Sequence, residues 1–133
     1  MGNDITDYEL RVLSHVWELG GRAQVNEILD EWILGDGEER KPGYTTVLKT
    51  LQKLEAKGIV SHESGPGRAY IYVALITRHD GSRDRLRQLV QTVFGGDRLA
   101  FAHAFLDEAE LTETELAELK GMLERYQDGT NDA

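Results

Sequence analysis

The stretch GYTTVLKTLQKLEAKGIVSHESGPGRAYIYVAL, Gly43 to Leu75, decides the fold. Pro42 disfavours helical geometry at Lys41, so a helix starts near Tyr44. Gly58, after Lys57, stops it. At about 100° per residue, Val47, Leu48, Leu51 and Leu54 fall on one arc, and Thr45, Thr46, Lys49, Gln52 and Lys53 on the opposite one. The first arc is aliphatic and belongs in a core. The second carries hydroxyls, ammonium groups and an amide, with no carboxylate. Ile59–Ser64 and Ala69–Leu75 are β-prone runs joined by Gly65-Pro66-Gly67, which brings Arg68 close to a hairpin tip.

Cations, hydroxyls and amides on one helix face are the groups that meet phosphates and base edges. A solvated surface helix also carries Lys and Thr, so the helix alone is weak evidence. A helix, a Lys-Gly stop and a basic hairpin in that order have the form of the reading helix and wing of a winged helix-turn-helix.

The rest of the chain fits around this centre. Thr6 and Glu9 form a capping-box pattern and start a helix with Tyr8, Val12, Leu13, Val16 and Trp17 on a broad apolar arc, ended by Gly20-Gly21. A second helix is expected from about Gln24 to Leu34, burying Val25, Ile28, Leu29 and Trp32. Gly35 to Gly43 is a loop rich in glycine and charge. After Leu75 the pattern is helical only. Thr77 caps a helix with Leu86, Leu89, Val90, Val93 and Phe94 on one face, and Gly95-Gly96 breaks it. A shorter helix from about Asp97 holds Phe101, Ala102, Phe105 and Leu106. Thr112 and Glu115 form a second capping box, opening a helix striped by Leu116, Leu119, Leu123 and Tyr126, with a polar tail from Gln127. A stripe of about three turns is not stable alone and must dock on its own domain or on a second subunit.

The chain has 133 residues, 40% of them hydrophobic, enough for one domain or a small domain with an assembly element. Net charge is −9, which argues against indiscriminate nucleic-acid binding. The charge is polarised: six basic against two acidic residues from Arg40 to Arg68, nine acidic against three basic from Asp97 to Asp128. No apolar run approaches the ~18 residues of a membrane span, and MGNDITDYEL has no apolar leader core. The absence of cysteine excludes disulfides, thiolate metal sites and cysteine nucleophiles, and with these features fits an expected cytoplasmic location away from membranes.

Four segments together resemble the BlaI/MecI/CopY family of penicillinase-type repressors: TDYELRVLSHVWELGG at 6–21, YTTVLKTLQKLEAKGIV at 44–60, GRAYIYVAL at 67–75 and LTETELAELKGMLE at 111–124. The resemblance spans Ile5 to Arg125, and YTTVLKTLQKLEAKG followed by GRAY is its most specific part. It implies a dimeric winged-helix repressor on a dyad-symmetric operator. Carried over by position, Thr45, Thr46, Lys49 and Lys53 occupy the reading helix, and Arg68 and Tyr70 the wing. Copper-responsive members carry a C-terminal cysteine metal motif, which this chain lacks. Antibiotic-responsive members are inactivated by cleavage before a Phe that aligns with Phe105; the preceding Asn of those members is Ala104 here. The loop Gly35 to Lys41 is several residues longer than in close members, and Ile71 stands where a basic wing residue is common.

No two of His15, His62, His79 and His103 are three or four residues apart, so no helical metal pair exists. No nucleophile elbow, P-loop or dinucleotide turn appears, and no enzyme or cofactor is expected. The reading is therefore mainly α with a small β-hairpin wing (α+β): a winged-helix DNA-binding domain over 1–76 and a helical dimerisation region over 77–133. Lys41, Tyr44, Thr45, Thr46, Lys49, Gln52, Lys53, Arg68 and Tyr70 are expected to face DNA. Phe101, Phe105, Leu106, Leu116, Leu119, Leu123 and Tyr126 are expected to hold a homodimer. The partners are an operator duplex and a second copy, with a regulatory protease left unidentified. The competing class is a winged-helix module that binds another protein, which the acidic balance permits.

Overall fold

The computed structural model describes residues 4–35 and 37–129. Asp36 of the glycine-rich loop and residues 130–133 of the polar tail lie outside the described residues. The chain divides into two compact units, the first running to Arg85 and the second starting at Leu86.

The first unit begins with α1, Asp7–Glu18. The Thr6 hydroxyl accepts from the Glu9 N–H at 3.1 Å and Glu9 Oε1 accepts from the Thr6 N–H at 2.9 Å, completing the expected capping box. After Gly20-Gly21 a two-residue strand, β1 (Arg22–Ala23), leads to α2, Val25–Glu31. Helix α3 spans Tyr44–Ala56, β2 Val60–Ser64 and β3 Tyr70–Ala74, the strands joined by a 3-10 turn at Pro66–Arg68. Gly58 takes φ +78, a left-handed geometry that costs glycine little, and so turns the chain from α3 into the hairpin. The sheet is antiparallel in the order β1-β3-β2, with His62 opposite Tyr72 and Ser64 opposite Tyr70.

Two sequence expectations need correction. The second helix ends at Glu31, three residues before Leu34. Trp32 leaves helical geometry to bury its indole; His15 stacks on it at 4.5 Å and the Arg11 guanidinium lies 4.6 Å over it. Arg11 also donates to the Ile33 carbonyl, so the chain is held on this non-helical course while Ile33 and Leu34 stay exposed. The third strand, β1, was not expected, because two residues show no alternation to read.

The core joins Val12, Leu13 and Val16 of α1, Ile28 of α2, Val47, Leu51 and Leu54 of α3, and Val60 and Tyr72 of the hairpin. Glu9 is buried with them, and Lys57 Nζ bonds its carboxylate at 2.6 Å and the Asp4 carbonyl at 2.7 Å. Lys57, counted above in the basic stretch, thus ties the end of α3 to the start of α1. Burial by itself raises the Glu9 carboxyl, but Lys57 and the Thr6 backbone and hydroxyl outweigh it, and the net direction is downward.

Helix α4, Arg78–Phe94, begins in this unit, with the Thr77 hydroxyl accepting from the Asp80 N–H at 3.1 Å. Trp17 Nε1 donates to the Ile76 carbonyl at 2.9 Å, and its ring lies so close to Gly81 that a Cβ there would stand 2.6 Å from it.

In the second unit, α4 continues to Phe94 and is followed by α5, Arg98–Ala109, capped by Asp97, and α6, Glu113–Gln127, capped by the Thr112–Glu115 box. No residue of α5 or α6 is buried. Phe94 and Phe101 meet edge to face at 5.8 Å, and Leu89, Val93, Leu99, Phe105, Leu116, Leu123 and Tyr126 remain exposed.

Two stability outcomes follow. Gly81→Ala gains about 1 kcal/mol of helix propensity, but a rigid, hydrogen-bonded indole stands in the way, and overpacking costs about 1–3 kcal/mol. Thermal denaturation is expected to show a lower Tm than wild type; a raised Tm would mean that the indole gives way. Because the folded Glu9 carboxyl titrates below its unfolded value of roughly 4.3, its contribution is present above that pH and lost as pH falls through the folded value. Glu9→Gln is expected to cost about 1–3 kcal/mol at neutral pH and to flatten the acid limb of Tm against pH. An acid limb unchanged from wild type would remove Glu9 from this role.

Candidate nucleic-acid interface

Burial of Val47, Leu51 and Leu54 fixes the rotation of α3. The opposite arc, Thr45, Thr46, Lys49, Gln52 and Lys53, is exposed along its whole length. Thr50 shows that not every threonine of this helix faces outward. It is buried, and its hydroxyl returns to the Thr46 carbonyl at 2.8 Å. Among the described residues, no hydrogen bond or ion pair engages the side chains of Lys49, Lys53 or Arg68.

The start of α3 differs from those of α1 and α6. Both of those carry a threonine cap and acidic residues in the first turn. The N-cap of α3 is Gly43, no side chain satisfies its first N–H groups, and its first turn holds no acid. Such an end, with free donors and the positive pole of the helix dipole, suits an anion. Tyr44 stands exposed at this end. Lys41, just upstream, is exposed, with Nζ 3.5 Å from the Asp30 carbonyl.

The hairpin flanks the helix. Arg68 sits at its tip, exposed and in the left-handed region at φ +69. Tyr70 is half exposed, and His62 stacks on it at 4.2 Å. Tyr72 points into the core on the same sheet face. Burial pushes its phenol up, and the Glu55 carboxylate and the Tyr70 and Tyr44 hydroxyls push it the same way. Helix α3, its N-terminus and the hairpin are thus brought together within the first unit. Lys57 is drawn away to Glu9, so five of the six cations between Arg40 and Arg68 remain exposed. The carboxylates nearby are occupied: Glu55 by His62 and Glu63 by Arg22 of β1. Sequence reasoning missed this link between His62, Glu55 and Tyr70, because only the strand register brings residues so spaced together.

The residues expected to hold a dimer lie in the second unit. Phe101, Phe105 and Leu106 are on α5, where Ala104–Phe105 falls mid-helix; Leu116, Leu119, Leu123 and Tyr126 are on α6. Phe101 and Leu119 are half buried and the others exposed. Among the described residues no group of three or more histidines and carboxylates is placed to hold a metal, and no helix is long and apolar enough to cross a membrane.

Comparison with known proteins bears on this arrangement. Two solved structures of an organohalide-sensing transcriptional regulator, RdhR, one bound to 2,4-dichlorophenol and one ligand-free, superpose on 97% of the chain with a TM-score of 0.51 at 12% sequence identity. The chain spans 66% of the length of each. At that identity the likeness speaks for the fold, a winged helix with appended helices. No curated protein shows significant sequence similarity to the chain. A family model described as penicillinase repressor matches residues 5–125, from the capping box of α1 to the end of α6. The family and these neighbours are alike described as regulators of transcription. With its winged-helix fold and a match over nearly its whole length, the chain belongs to the penicillinase repressor family of DNA-binding transcriptional regulators.

Proposed function

We propose that the chain is a homodimeric cytoplasmic repressor that binds a dyad-symmetric operator, each subunit laying α3 in a major groove as helix-turn-helix proteins do. One observation carries the reading: the exposed arc of α3 bears unengaged lysines and hydroxyls and no acid, on a chain of net charge −9. Lys41, Lys49, Lys53 and Arg68 neutralise phosphates. Tyr44 and Tyr70 pack on the backbone beside the helix. Thr45, Thr46 and Gln52 reach bases or the sugars next to them. Residues 1–76 form the DNA-binding domain, and 77–133 join the two subunits.

The salt dependence of binding tests the first half. About four phosphate contacts per subunit give about eight per dimer and a slope of log K against log salt of roughly −7. Lys49→Ala or Lys53→Ala should lower the slope by about one to two, since each change occurs twice. Lys57→Ala should leave the slope alone and lower stability instead, because Lys57 is engaged with Glu9. A wild-type slope near zero would contradict DNA binding and favour a protein partner.

Apolar side chains left open on α5 and α6 support the second half. Burying one such Leu or Phe fully is worth about 1.5–3 kcal/mol, so several pairs across a two-fold axis outweigh the cost of association. Leu119→Asp with Leu123→Asp in the full chain should sediment as a monomer and lose operator affinity by orders of magnitude, since two half-sites are no longer coupled. A double variant that remains dimeric would place the interface elsewhere.

A further inference from the structure

His62 joins the wing to the reading helix. Its Nδ1 lies 2.7 and 2.9 Å from the two carboxylate oxygens of Glu55 on α3. A carboxylate only accepts, so Nδ1 carries a proton. The imidazole stacks on Tyr70 of β3, ring planes 29° apart. The register puts His62, Tyr70 and Tyr72 on one sheet face, with Tyr72 buried and Tyr70 at the rim. The imidazole is thus held at its edge by the helix and presents its face to a wing tyrosine.

We propose that His62 is a positioning residue for DNA binding: it holds Tyr70 against the duplex, and its charge, set against Glu55, makes operator binding take up protons. This rests on the DNA reading above. The groups that face the imidazole are Glu55 from α3 and Tyr70 and Tyr72 from β3. Its neighbour Glu63 is engaged by Arg22 of β1. His62 is the only ion-pair partner of Glu55 among the described residues.

With His62 neutral, the charge of Glu55 stands uncompensated on the flank of a helix that must approach phosphates. With His62 protonated, the pair is neutral. A nearby polyanion favours the protonated state, and histidine changes charge close to physiological pH. Binding therefore draws a proton onto each wing, and affinity rises as pH falls. Each proton taken up is worth at most about tenfold in affinity per pH unit.

The test uses the full-length chain and duplexes that it selects from a random-sequence pool, at constant moderate salt. Wild-type affinity at pH 6 should exceed that at pH 8 by about tenfold more than in His62→Phe. His62→Phe keeps a ring for Tyr70 but cannot titrate, so at pH 8 it should bind within about twofold of wild type, which a loss of fold would not allow. His62→Ala should lose the pH gain and also bind about five- to tenfold more weakly at pH 8, because Tyr70 is released. Glu55→Gln should bind more tightly than wild type at pH 8, because the uncompensated charge on the flank of α3 is gone. A gain that survives in His62→Phe, or equal binding by the Phe and Ala variants at pH 8, overturns the proposal while salt-dependent wild-type binding keeps the DNA reading standing. If the wild type selects no duplex, both fall.

Discussion

The rotation of α3 about its own axis is the constraint on which the rest depends. Val47, Leu51 and Leu54 are fully buried against α1, α2 and the hairpin. Turning the helix by one residue's angle would bring most of that surface into water, at a cost of roughly 5–9 kcal/mol for three side chains. That is most or all of the stability of a small domain. The outward set is therefore not free to vary: Thr45, Thr46, Lys49, Gln52 and Lys53 face solvent because the other arc cannot. Lys57 adds a second fixed point by tying the end of the helix to Glu9 at the start of α1.

An acidic chain with a DNA-facing surface has to segregate its charges. At physiological salt a charge is felt over about 8 Å, so the neighbours of α3 matter more than the net −9. The carboxylates nearest the helix are each drawn into a pair: Glu9 with Lys57, Glu55 with His62, Glu63 with Arg22. The helix N-terminus, which in α1 and α6 is capped by threonine and surrounded by acids, is left bare in α3. Both choices keep negative charge off one face.

The sequence was readable where a repeating pattern had a single physical cause. The aliphatic arc of α3, the capping boxes at Thr6 and Thr112 and the glycine stop at Gly58 are local, and each stands where the pattern put it. Misses came where long-range contacts overrode local preference. Trp32 continues the helical pattern of α2, yet it leaves the helix to lie under His15 and Arg11. β1 exists only because β3 pairs with it. Lys57 reads as one more cation until Glu9, 48 residues away, claims it. At the candidate site, the exposed face of α3 was legible, but the tie from Glu55 through His62 to Tyr70 needed the strand register.

Since the chain contains no cysteine, a single thiol can be placed at will, and that allows the most direct test of whether the outward face of α3 meets DNA. Ala56 is exposed at the end of that face. An iron-chelate cleavage reagent attached to Ala56→Cys, in the full chain bound to a selected duplex, should cut the backbone in two clusters, one at each half-site, bordering the major groove. The same reagent on Asp107→Cys in α5 should not reproduce those cuts. Scattered cleavage from position 56, or none while the duplex stays bound, would contradict the assignment of α3 as the element that reads DNA.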